Sequence, residues 1–262
     1  MNHFISSWLQ PDWPAPFCVK AVMTDRHGGV SQAPWDSMNL GEHVGDVAAH
    51  TQTNRQRLQM ALGTRPVFLQ QVHGVQAVAL TVCSQDRLQA DACIATGAGV
   101  ACTIMVADCL PVLLCDAHGR WVAGAHAGWR GLAGHEGMGV LENLLRTPAL
   151  QQTSVQDILV WLGPCIGPAA FEVGQDVRAV FCTPDPGCEP FFRHAAPGKW
   201  LADLAGLARH RLQRQGLHRV YGNDSTPPWC TVTQESSFFS HRRDSRRLGQ
   251  TGRMAACIWI SD

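Results

Sequence analysis

An almost continuous apolar run, Val100–Ala107, constrains the fold of this 262-residue chain more than any other feature. Because neighbouring positions are both apolar, a strand here must be covered on both faces, which requires a layered core. The run ends at Asp108-Cys109. Two more apolar stretches of strand length follow, Val112–Cys115 and Trp121–Ala125, and the second ends at His126. The sequence therefore predicts buried strands that present polar side chains where they end.

The remaining predicted elements alternate irregularly between helix and strand. Asp46 is the expected N-cap of a helix that reaches about Leu62 and stops at Gly63, and Val67–Val72 is an expected strand that delivers His73. Further predicted elements are helices from Gly128 through Leu145, near Glu172–Phe181 and at Leu201–Leu212, strands at Ile158–Leu162 and Ala255–Ile260, and a break at Pro111. The pattern predicts a single domain over residues 1–262 of the α/β or α+β class, with a mixed β-sheet core flanked by helices.

Composition bounds the cellular setting. Apolar residues make up 45% of the chain and charged residues 16%, which predicts a sizeable core and argues against disorder. The formal net charge is +0, so no overall field attracts nucleic acid or an anionic membrane. Met1–Leu9 lacks the pattern of a secretory signal, and no apolar run is long enough to span a bilayer. The eleven cysteines are scattered without a CxxC pair. We expect a cytoplasmic protein with reduced thiols and no nucleic-acid or membrane partner.

Three potential metal ligands, His73, Cys109 and His126, stand at the ends of predicted strands. Two imidazoles and one thiolate suit zinc, and three protein ligands leave a fourth position for water, whose pKa the metal lowers toward neutrality. The same residues permit a metal-free alternative, in which a Cys109 thiolate is the nucleophile and a histidine is its base, as in an amidase or deamidase. The separations are long and no local metal motif exists, so the residue pattern leaves both interpretations open.

Other polar residues are candidates for binding a substrate. Arg26 lies beside two glycines that permit close backbone approach, and its side chain suits an anion. Asn39 and His43 are candidates for hydrogen bonds with a substrate. Arg253 is the last of five arginines between positions 242 and 253, a cluster that suits a phosphate or carboxylate clamp.

Several short segments occur together in one order along the chain. They are Gly28-Gly29-Val30-Ser31, Asn39-Leu40-Gly41 with Gly45-Asp46, Gln71-Val72-His73-Gly74, Ala90-Asp91-Ala92, Asp108-Cys109-Leu110-Pro111, His126-Ala127-Gly128-Trp129-Arg130-Gly131, Gly163-Pro164-Cys165-Ile166-Gly167 with Phe171-Glu172-Val173, and Thr251-Gly252-Arg253. Together, from about Pro11 to Ile260, they resemble the bacterial family long labelled multicopper polyphenol oxidoreductase or laccase-like. Its members are now described as purine nucleoside phosphorylases with adenosine deaminase activity. The stretch Ser245–Gln250 departs from the family pattern by its greater length.

The resemblance implies a zinc site made of His73, Cys109 and His126. It also implies phosphorolysis of adenosine, inosine, guanosine and methylthioadenosine and deamination of adenosine, with purine nucleosides and phosphate as the small-molecule partners. On the matching motifs, Asp108 joins Cys109 and His126 as a catalytic candidate, and Gln71 joins the candidates for substrate binding.

Two alternatives accompany the same resemblance. The laccase label implies copper, although the 12 histidines include none of the His-x-His pairs of multicopper oxidases. The fold also resembles that of a bacterial toxin deamidase with a Cys–His pair, and one family member is linked to the editing of peptidoglycan precursors. The sequence is silent on the oligomeric state.

Overall fold

The computed structural model describes residues 8–261, so most of the Met1–Leu9 segment considered for a secretory signal lies outside the described residues. The strands, in chain order, are β1 Val19–Met23, β2 Arg65–Phe68, β3 Ala77–Leu80, β4 Ala92–Ala95, β5 Val100–Val106, β6 Leu110–Asp116, β7 Val122–Ala127, β8 Ile158–Leu162, β9 Glu172–Gly174, β10 Phe192–Ala196, β11 Lys199–Ala202, β12 Val220–Gly222 and β13 Met254–Ile260. The α-helices are α1 Ala48–Leu62, α2 Trp129–Ala133, α3 Val140–Leu145, α4 Pro148–Gln151, α5 Gln175–Cys182, α6 Leu204–Arg214 and α7 His241–Leu248. Short 3₁₀ helices lie at Glu42–Val44, Val155–Asp157, Pro186–Phe191 and Pro227–Trp229.

Two mixed sheets form the centre of the fold. The four-stranded sheet has the order β1-β13-β5-β2, in which only the β2–β5 pair is parallel. The six-stranded sheet has the order β12-β8-β6-β7-β4-β3, with parallel pairs at its two edges and antiparallel pairs between them. A third, antiparallel sheet joins β10, β11 and β9. The predicted class, a mixed β-sheet core flanked by helices, is confirmed.

The layers stack in the order helix, sheet, sheet, helices. Helix α1 packs on the outer face of the four-stranded sheet. The two large sheets face each other across a second apolar layer. Helices α2, α3, α5 and α6 cover the outer face of the six-stranded sheet. Each large sheet is therefore buried on both faces.

This layering explains the apolar runs. In β5, Ile104 packs between the sheets while its neighbour Met105 packs in the layer under α1. In β6, Leu113 faces the four-stranded sheet and Leu114 faces the helices, and both are 0% exposed. Full burial of each such side chain stabilises the fold by roughly 1.5–3 kcal/mol. The prediction of strands covered on both faces is confirmed.

Helix α1 ends as predicted but does not begin as predicted. Gly63 adopts φ 67° and donates its N–H to the carbonyl of Gln59, which closes the helix. The N-cap is Val47, so the predicted Asp46 cap is wrong. The Asp46 carboxylate instead accepts hydrogen bonds from the side chains of Ser31 and Asn39, at 2.6 Å and 2.9 Å. The Asp46 carboxylate, which the local sequence pattern assigned to the helix N-terminus, is therefore bound by side chains from distant segments.

Other boundaries also differ from the prediction. The helix expected from Gly128 through Leu145 is split into α2 and α3, because Gly134 adopts φ 63° and so leaves the helical conformation. A Cβ at this position would lie 1.9 Å from the carbonyl oxygen of Met138, so the turn requires glycine. Pro111 does not break the chain but lies in the second position of β6, near the strand end where a missing N–H is tolerated.

The helices expected at Glu172–Phe181 and Leu201–Leu212 both begin later than predicted. Strands β9 and β11 pair with each other and take the first residues of each segment, and α5 and α6 follow them. Asp203 caps α6 by accepting the N–H of Gly206 at 2.8 Å. The strand β8 matches its predicted bounds, and β13 begins one residue earlier than expected.

Two of the connections that carry the chain between the large sheets contain candidate site residues. The β5–β6 turn contains Asp108 and Cys109, and the β2–β3 loop contains His73. Their crossings lie at one end of the sheet pair, where side chains of both sheets meet. None of the helices within residues 8–261 is long and apolar enough to cross a membrane.

Candidate functional site

The three predicted ligands come together at this end of the sheets. The donor atoms of His73, Cys109 and His126 all lie within 4.8 Å of one another. Cys109 Sγ is 3.8 Å from His73 Nε2, and the two imidazole rings meet edge to face with centroids 4.8 Å apart. Positions separated by up to 53 residues in the chain thus form one cluster.

Backbone conformation brings the cluster together. Asp108 and His73 both adopt positive φ angles, 87° and 59°, at two of the crossings between the sheets. Such left-handed conformations are uncommon for residues with side chains, and here each turns the chain toward the same cavity. The strand expected to deliver His73 is shorter than predicted, since β2 ends at Phe68 and a loop covers the remaining distance. His126 lies within β7, opposite Pro111 of β6.

Asp91 holds two of the three ligands in place. This carboxylate is 0% exposed and precedes β4. Its Oδ1 is 2.8 Å from His126 Nδ1 and accepts the backbone N–H of His73 at 3.0 Å. Its Oδ2 accepts the backbone N–H groups of Val72 and Gly74, at 3.1 Å and 2.7 Å. One buried carboxylate therefore fixes both the His126 ring and the loop that carries His73.

The donor set fits a metal ion. The hydrogen bond from His126 Nδ1 to Asp91 leaves Nε2 as the ligand atom, an arrangement usual for metal-binding histidines. A Cβ on Gly128 would lie 2.9 Å from both Cys109 Sγ and His73 Cδ2, so only a residue without a side chain leaves room for the cluster. Two imidazoles and a thiolate suit tetrahedral zinc, and thiolate also suits copper(I).

The electrostatics of the metal-free cluster favour a charged pair. Burial by itself raises the pKa of the Cys109 thiol, but the nearby His126 and hydrogen bonds with both histidines outweigh it and lower this pKa to about 6. Burial by itself lowers the pKa of His126, but Cys109 and Asp91 outweigh it and raise this pKa to about 9. Without metal, the geometry therefore supports a thiolate beside an imidazolium.

The cluster lies in a cavity of about 440 Å³, a size typical of small-molecule sites. Besides the cluster, the residues that carry cationic or imidazole groups into its lining are His43, Arg130, Arg242, Arg253 and His241. Asp108 is the one carboxylate in that lining. The cavity is therefore well suited to an anionic ligand.

Asp108 is a structural partner of the C-terminal segment. Its Oδ1 accepts the hydroxyl of Thr231 at 2.6 Å, and its Oδ2 accepts the Ser240 hydroxyl at 3.1 Å and the Arg242 backbone N–H at 2.6 Å. These bonds tie the turn that carries Cys109 to the start of α7. The contacts support a positioning role for Asp108 rather than proton transfer.

Of the predicted substrate-binding residues, His43, Gln71 and Arg253 line the cavity. The Gln71 amide is bound to the backbone of Met105, since its Nε2 donates to the carbonyl and its Oε1 accepts the N–H, both at 2.8 Å. Gln71 therefore fastens the His73 loop to β5. His43 and Arg253 are better placed for direct contact with a ligand.

Arg26 and Asn39 do not line the cavity, which corrects the expectation of direct contacts. Arg26 donates to the carbonyls of Asp36 and Glu235, at 3.1 Å and 3.0 Å, and stacks on the Phe239 ring. Asn39 is 0% exposed, and its amide binds backbone groups and the Asp46 carboxylate. Both residues stabilise the loops behind the site.

Sequence reasoning missed the role of Asp91, although it lies in a segment that carried the family resemblance. The available signal was a lone carboxylate between two alanines at the start of an apolar strand, since a buried charge there needs several donors. The longer stretch Ser245–Gln250 does not disturb the site, because most of it continues α7 and both Arg242 and Arg253 still line the cavity.

A second group of potential ligands lies outside the cavity lining: Asp185, Cys188 and His210. Its carboxylate Oδ2 already binds His210 at 2.9 Å and the Arg214 guanidinium at 2.6 Å. Burial raises the pKa of the Cys188 thiol to about 12, with the Asp185 charge adding to the effect. These contacts describe an ion-pair network rather than a metal site.

Comparison with known proteins shows the family. The family described as multi-copper polyphenol oxidoreductase laccase matches residues 20–261. A Pseudomonas aeruginosa protein named purine nucleoside phosphorylase is 47% identical over 98% of this chain and all of its own length. The Escherichia coli purine nucleoside phosphorylase YfiH is 44% identical over 98% of this chain and all of its own length.

Solved structures agree with these matches. A Neisseria meningitidis protein superposes with a TM-score of 0.89 at 45% identity, covering 97% of this chain and 99% of that one. YlmD from Geobacillus stearothermophilus gives a TM-score of 0.86 at 32% identity, covering 97% and 96%. Several relatives of this chain carry the name purine nucleoside phosphorylase. Because sequence and fold are shared along nearly the whole length, this chain belongs to the multi-copper polyphenol oxidoreductase laccase family.

Proposed function

We propose that this protein is a zinc-dependent purine nucleoside phosphorylase that takes adenosine, inosine, guanosine and methylthioadenosine. The observation that carries the proposal is the cluster of His73, Cys109 and His126 in a cavity lined by three arginines, whose one carboxylate, Asp108, is already bound by the Thr231 hydroxyl and the Arg242 backbone N–H. The names of the relatives supply the nucleoside. Eleven free thiols support a reducing compartment, and we place the protein in the cytoplasm.

In phosphorolysis, an oxygen of phosphate forms a bond to C1′ of the ribose while the C1′–N9 bond breaks. The electron pair of the broken bond leaves with the purine, which takes up a proton. Catalysis therefore needs phosphate held beside C1′ and a purine held in a fixed orientation. The cationic residues of the cavity supply the first requirement.

Within the cavity, the protein contributes mainly position. Asp91 fixes the ring of His126 and the backbone of His73, and Asp108 fixes the turn before Cys109. The three ligands are thus held in place before any substrate arrives. When bound, zinc supplies a Lewis acid at this point of the cavity.

We propose deamination of adenosine as a further activity of the same cavity. Water adds to C6 of the purine, ammonia leaves, and inosine is formed. His43 and His241 line the same cavity and are not among the three ligands, so imidazole groups able to transfer a proton share the cavity with the metal site.

The charged pair of the metal-free cluster favours one alternative, a Cys–His amidase. A thiolate of Cys109 with a pKa of about 6, beside His126 with a pKa of about 9, matches the nucleophile and acid required for amide hydrolysis. A copper-dependent polyphenol oxidase is the other alternative, and it rests on the family description. Metal content and chelation separate the three activities.

The test is a metal analysis combined with turnover of adenosine in phosphate buffer. We expect bound zinc, and adenine with ribose 1-phosphate as products. Cys109→Ala is expected to lose both metal and turnover, whereas Cys83→Ala, an exposed thiol outside the cavity lining, retains both. Full zinc and full turnover in Cys109→Ala would overturn the proposal. Hydrolysis of an acyl-peptide amide that survives chelation would favour the amidase, and copper with oxidation of a phenol would favour the oxidase.

A further inference from the structure

The side chain of Arg253 is built into the cavity wall. Its Nη1 donates to the carbonyls of Thr251 and Gly252, at 3.1 Å and 3.2 Å. Within residues 8–261, its Nε and Nη2 make no hydrogen bond with the protein. The guanidinium is therefore anchored on one side, and two of its nitrogens remain able to donate to a ligand.

A buried layer behind Arg253 sets its position. The Oδ1 of Asn39 accepts the backbone N–H groups of Arg253 and Gly41, both at 2.9 Å. A Cβ at Gly41 would lie 2.7 Å from Cγ of Arg253, so the absence of a side chain there makes room for the arginine. Two segments separated by more than 200 residues, around Asn39 and Arg253, thus serve one guanidinium.

Two histidines share the cavity with this guanidinium. His43 lies in a 3₁₀ helix and His241 begins α7, and both are exposed in the lining. The pKa of each imidazole is lowered, mainly by partial desolvation in the cavity and then by the positive charge of Arg253. Three groups able to donate hydrogen bonds therefore surround one volume.

Two other arginines, Arg242 and Arg130, also line the cavity. Arg242 donates through Nη1 to the carbonyls of Glu172 and Ala170, at 3.1 Å and 3.4 Å. Arg130 is exposed and stacks on Trp129, with its guanidinium carbon 4.3 Å from the ring centroid. Arg242 and Arg253 are thus both anchored through Nη1, and Arg253 differs in the space that Gly41 leaves for its side chain and in the bond from its backbone N–H to the buried Asn39.

We propose that Arg253, together with His43 and His241, forms the subsite that binds inorganic phosphate for phosphorolysis. The inference rests on the proposed function and adds to it the residues that hold the anion. Guanidinium donors bind tetrahedral oxyanions through charge-assisted hydrogen bonds, and the two imidazoles bind the remaining oxygens. Cys109 and His126 line the same cavity, so this subsite shares one volume with the metal ligands.

Steady-state kinetics with separately varied phosphate and inosine test the subsite. Loss of a hydrogen-bonded charge raises the KM for phosphate by roughly 10-fold to 100-fold in Arg253→Met, while the KM for inosine and the zinc content stay at the wild-type values. Arg253→Lys recovers part of the loss because it restores the charge without the planar fork. Arg246→Met, which removes an exposed arginine of α7 outside the cavity, leaves all values unchanged.

Exposed His43 offers a variant that spares the buried layer. His43→Asn is expected to raise the KM for phosphate in the same direction as Arg253→Met, without loss of zinc. An unchanged KM for phosphate in both Arg253→Met and His43→Asn would overturn the subsite. An equal rise in the KM for inosine would also overturn it, because that result assigns the residues to the nucleoside.

Direct binding separates this inference from the proposed function. Calorimetric titration with inorganic phosphate is expected to show binding to the wild-type protein that Arg253→Met loses. If the wild type does not split inosine, the proposed function fails, and this titration still decides the subsite. Competition by AMP and by adenosine distinguishes free phosphate from the phosphate of a nucleotide. Suppose that AMP competes more strongly than adenosine, that Arg253→Met abolishes this difference, and that free phosphate does not bind. The subsite would then belong to a nucleotide, and the proposal would be overturned.

Discussion

Replacing Asp91 by asparagine tests how strongly the site depends on one buried carboxylate. The substitution keeps the shape of the side chain but turns one acceptor oxygen into an NH2 group. The four donors that face Asp91 are His126 Nδ1–H and the backbone N–H groups of Val72, His73 and Gly74. Each oxygen accepts two of them, so either orientation of the asparagine leaves two donors that are at least partly buried facing an NH2 group.

The magnitude follows from those two lost acceptors. An unsatisfied buried donor costs about 1–3 kcal/mol, so Asp91→Asn is expected to lower the free energy of unfolding by about 2–6 kcal/mol. Metal affinity falls as well, because removing such a supporting partner of a metal ligand typically costs about 10-fold to 100-fold in affinity. The second effect arises because His126 loses the partner that fixes its tautomer.

The pH dependence provides an independent check. Burial by itself raises the pKa of Asp91, but the hydrogen bonds with His126 and the backbone amides lower it below its usual value. A carboxylate with a lowered folded-state pKa stabilises the protein above its unfolded value, about 3.9, and this contribution is lost as the pH falls through the folded value. The difference in stability between wild type and Asp91→Asn is therefore largest at neutral pH and narrows in acid.

Urea unfolding and zinc titration against a competing chelator measure both effects. Asp116→Asn is the matched control, because Asp116 is equally buried and its carboxylate binds Arg120, away from the cavity. We expect the control to lower stability without changing zinc affinity. Wild-type zinc affinity in Asp91→Asn would refute the reasoning, and so would equal losses of affinity in both variants.

Three further changes have defined outcomes. Gly128→Ala places a methyl group against Cys109 Sγ and is expected to lower zinc affinity, whereas Gly97→Ala, which meets nothing within 4 Å, does not; equal zinc affinity in a titration of both variants would contradict this. In the chelated protein, alkylation of Cys109 should reach half its maximal rate near pH 6, because the pKa of this thiol is lowered to about 6. Bound zinc should suppress the alkylation at every pH. A midpoint near pH 8.5, typical of an ordinary thiol, would refute the charged pair. Leu113→Ala, between the sheets, should cost about 2–5 kcal/mol in urea unfolding, and a loss below about 1 kcal/mol would contradict full burial.

The sequence determined the buried strands and the identity of the clustered residues. A run such as Val100–Ala107 is apolar at successive positions, which point to opposite faces of a strand. Only a strand covered on both faces removes all of those side chains from water. The resemblance named His73, Cys109 and His126, and the fold brings their donor atoms within 4.8 Å. These features depend on residue type and order, which the sequence carries completely.

Tertiary structure decided which polar groups face the cavity. Arg26 and Arg253 were equal candidates for an anion by residue type, but carbonyls of Asp36 and Glu235 occupy the first, while the second keeps two nitrogens able to donate to a ligand. Asp91 gained its role because the loop of residues 72–74 and the strand β7 place four donors around it. Hydrogen-bond partners contributed by distant segments leave no local pattern in the sequence. The fold alone therefore determines which polar side chains are bound within the protein and which can bind a ligand.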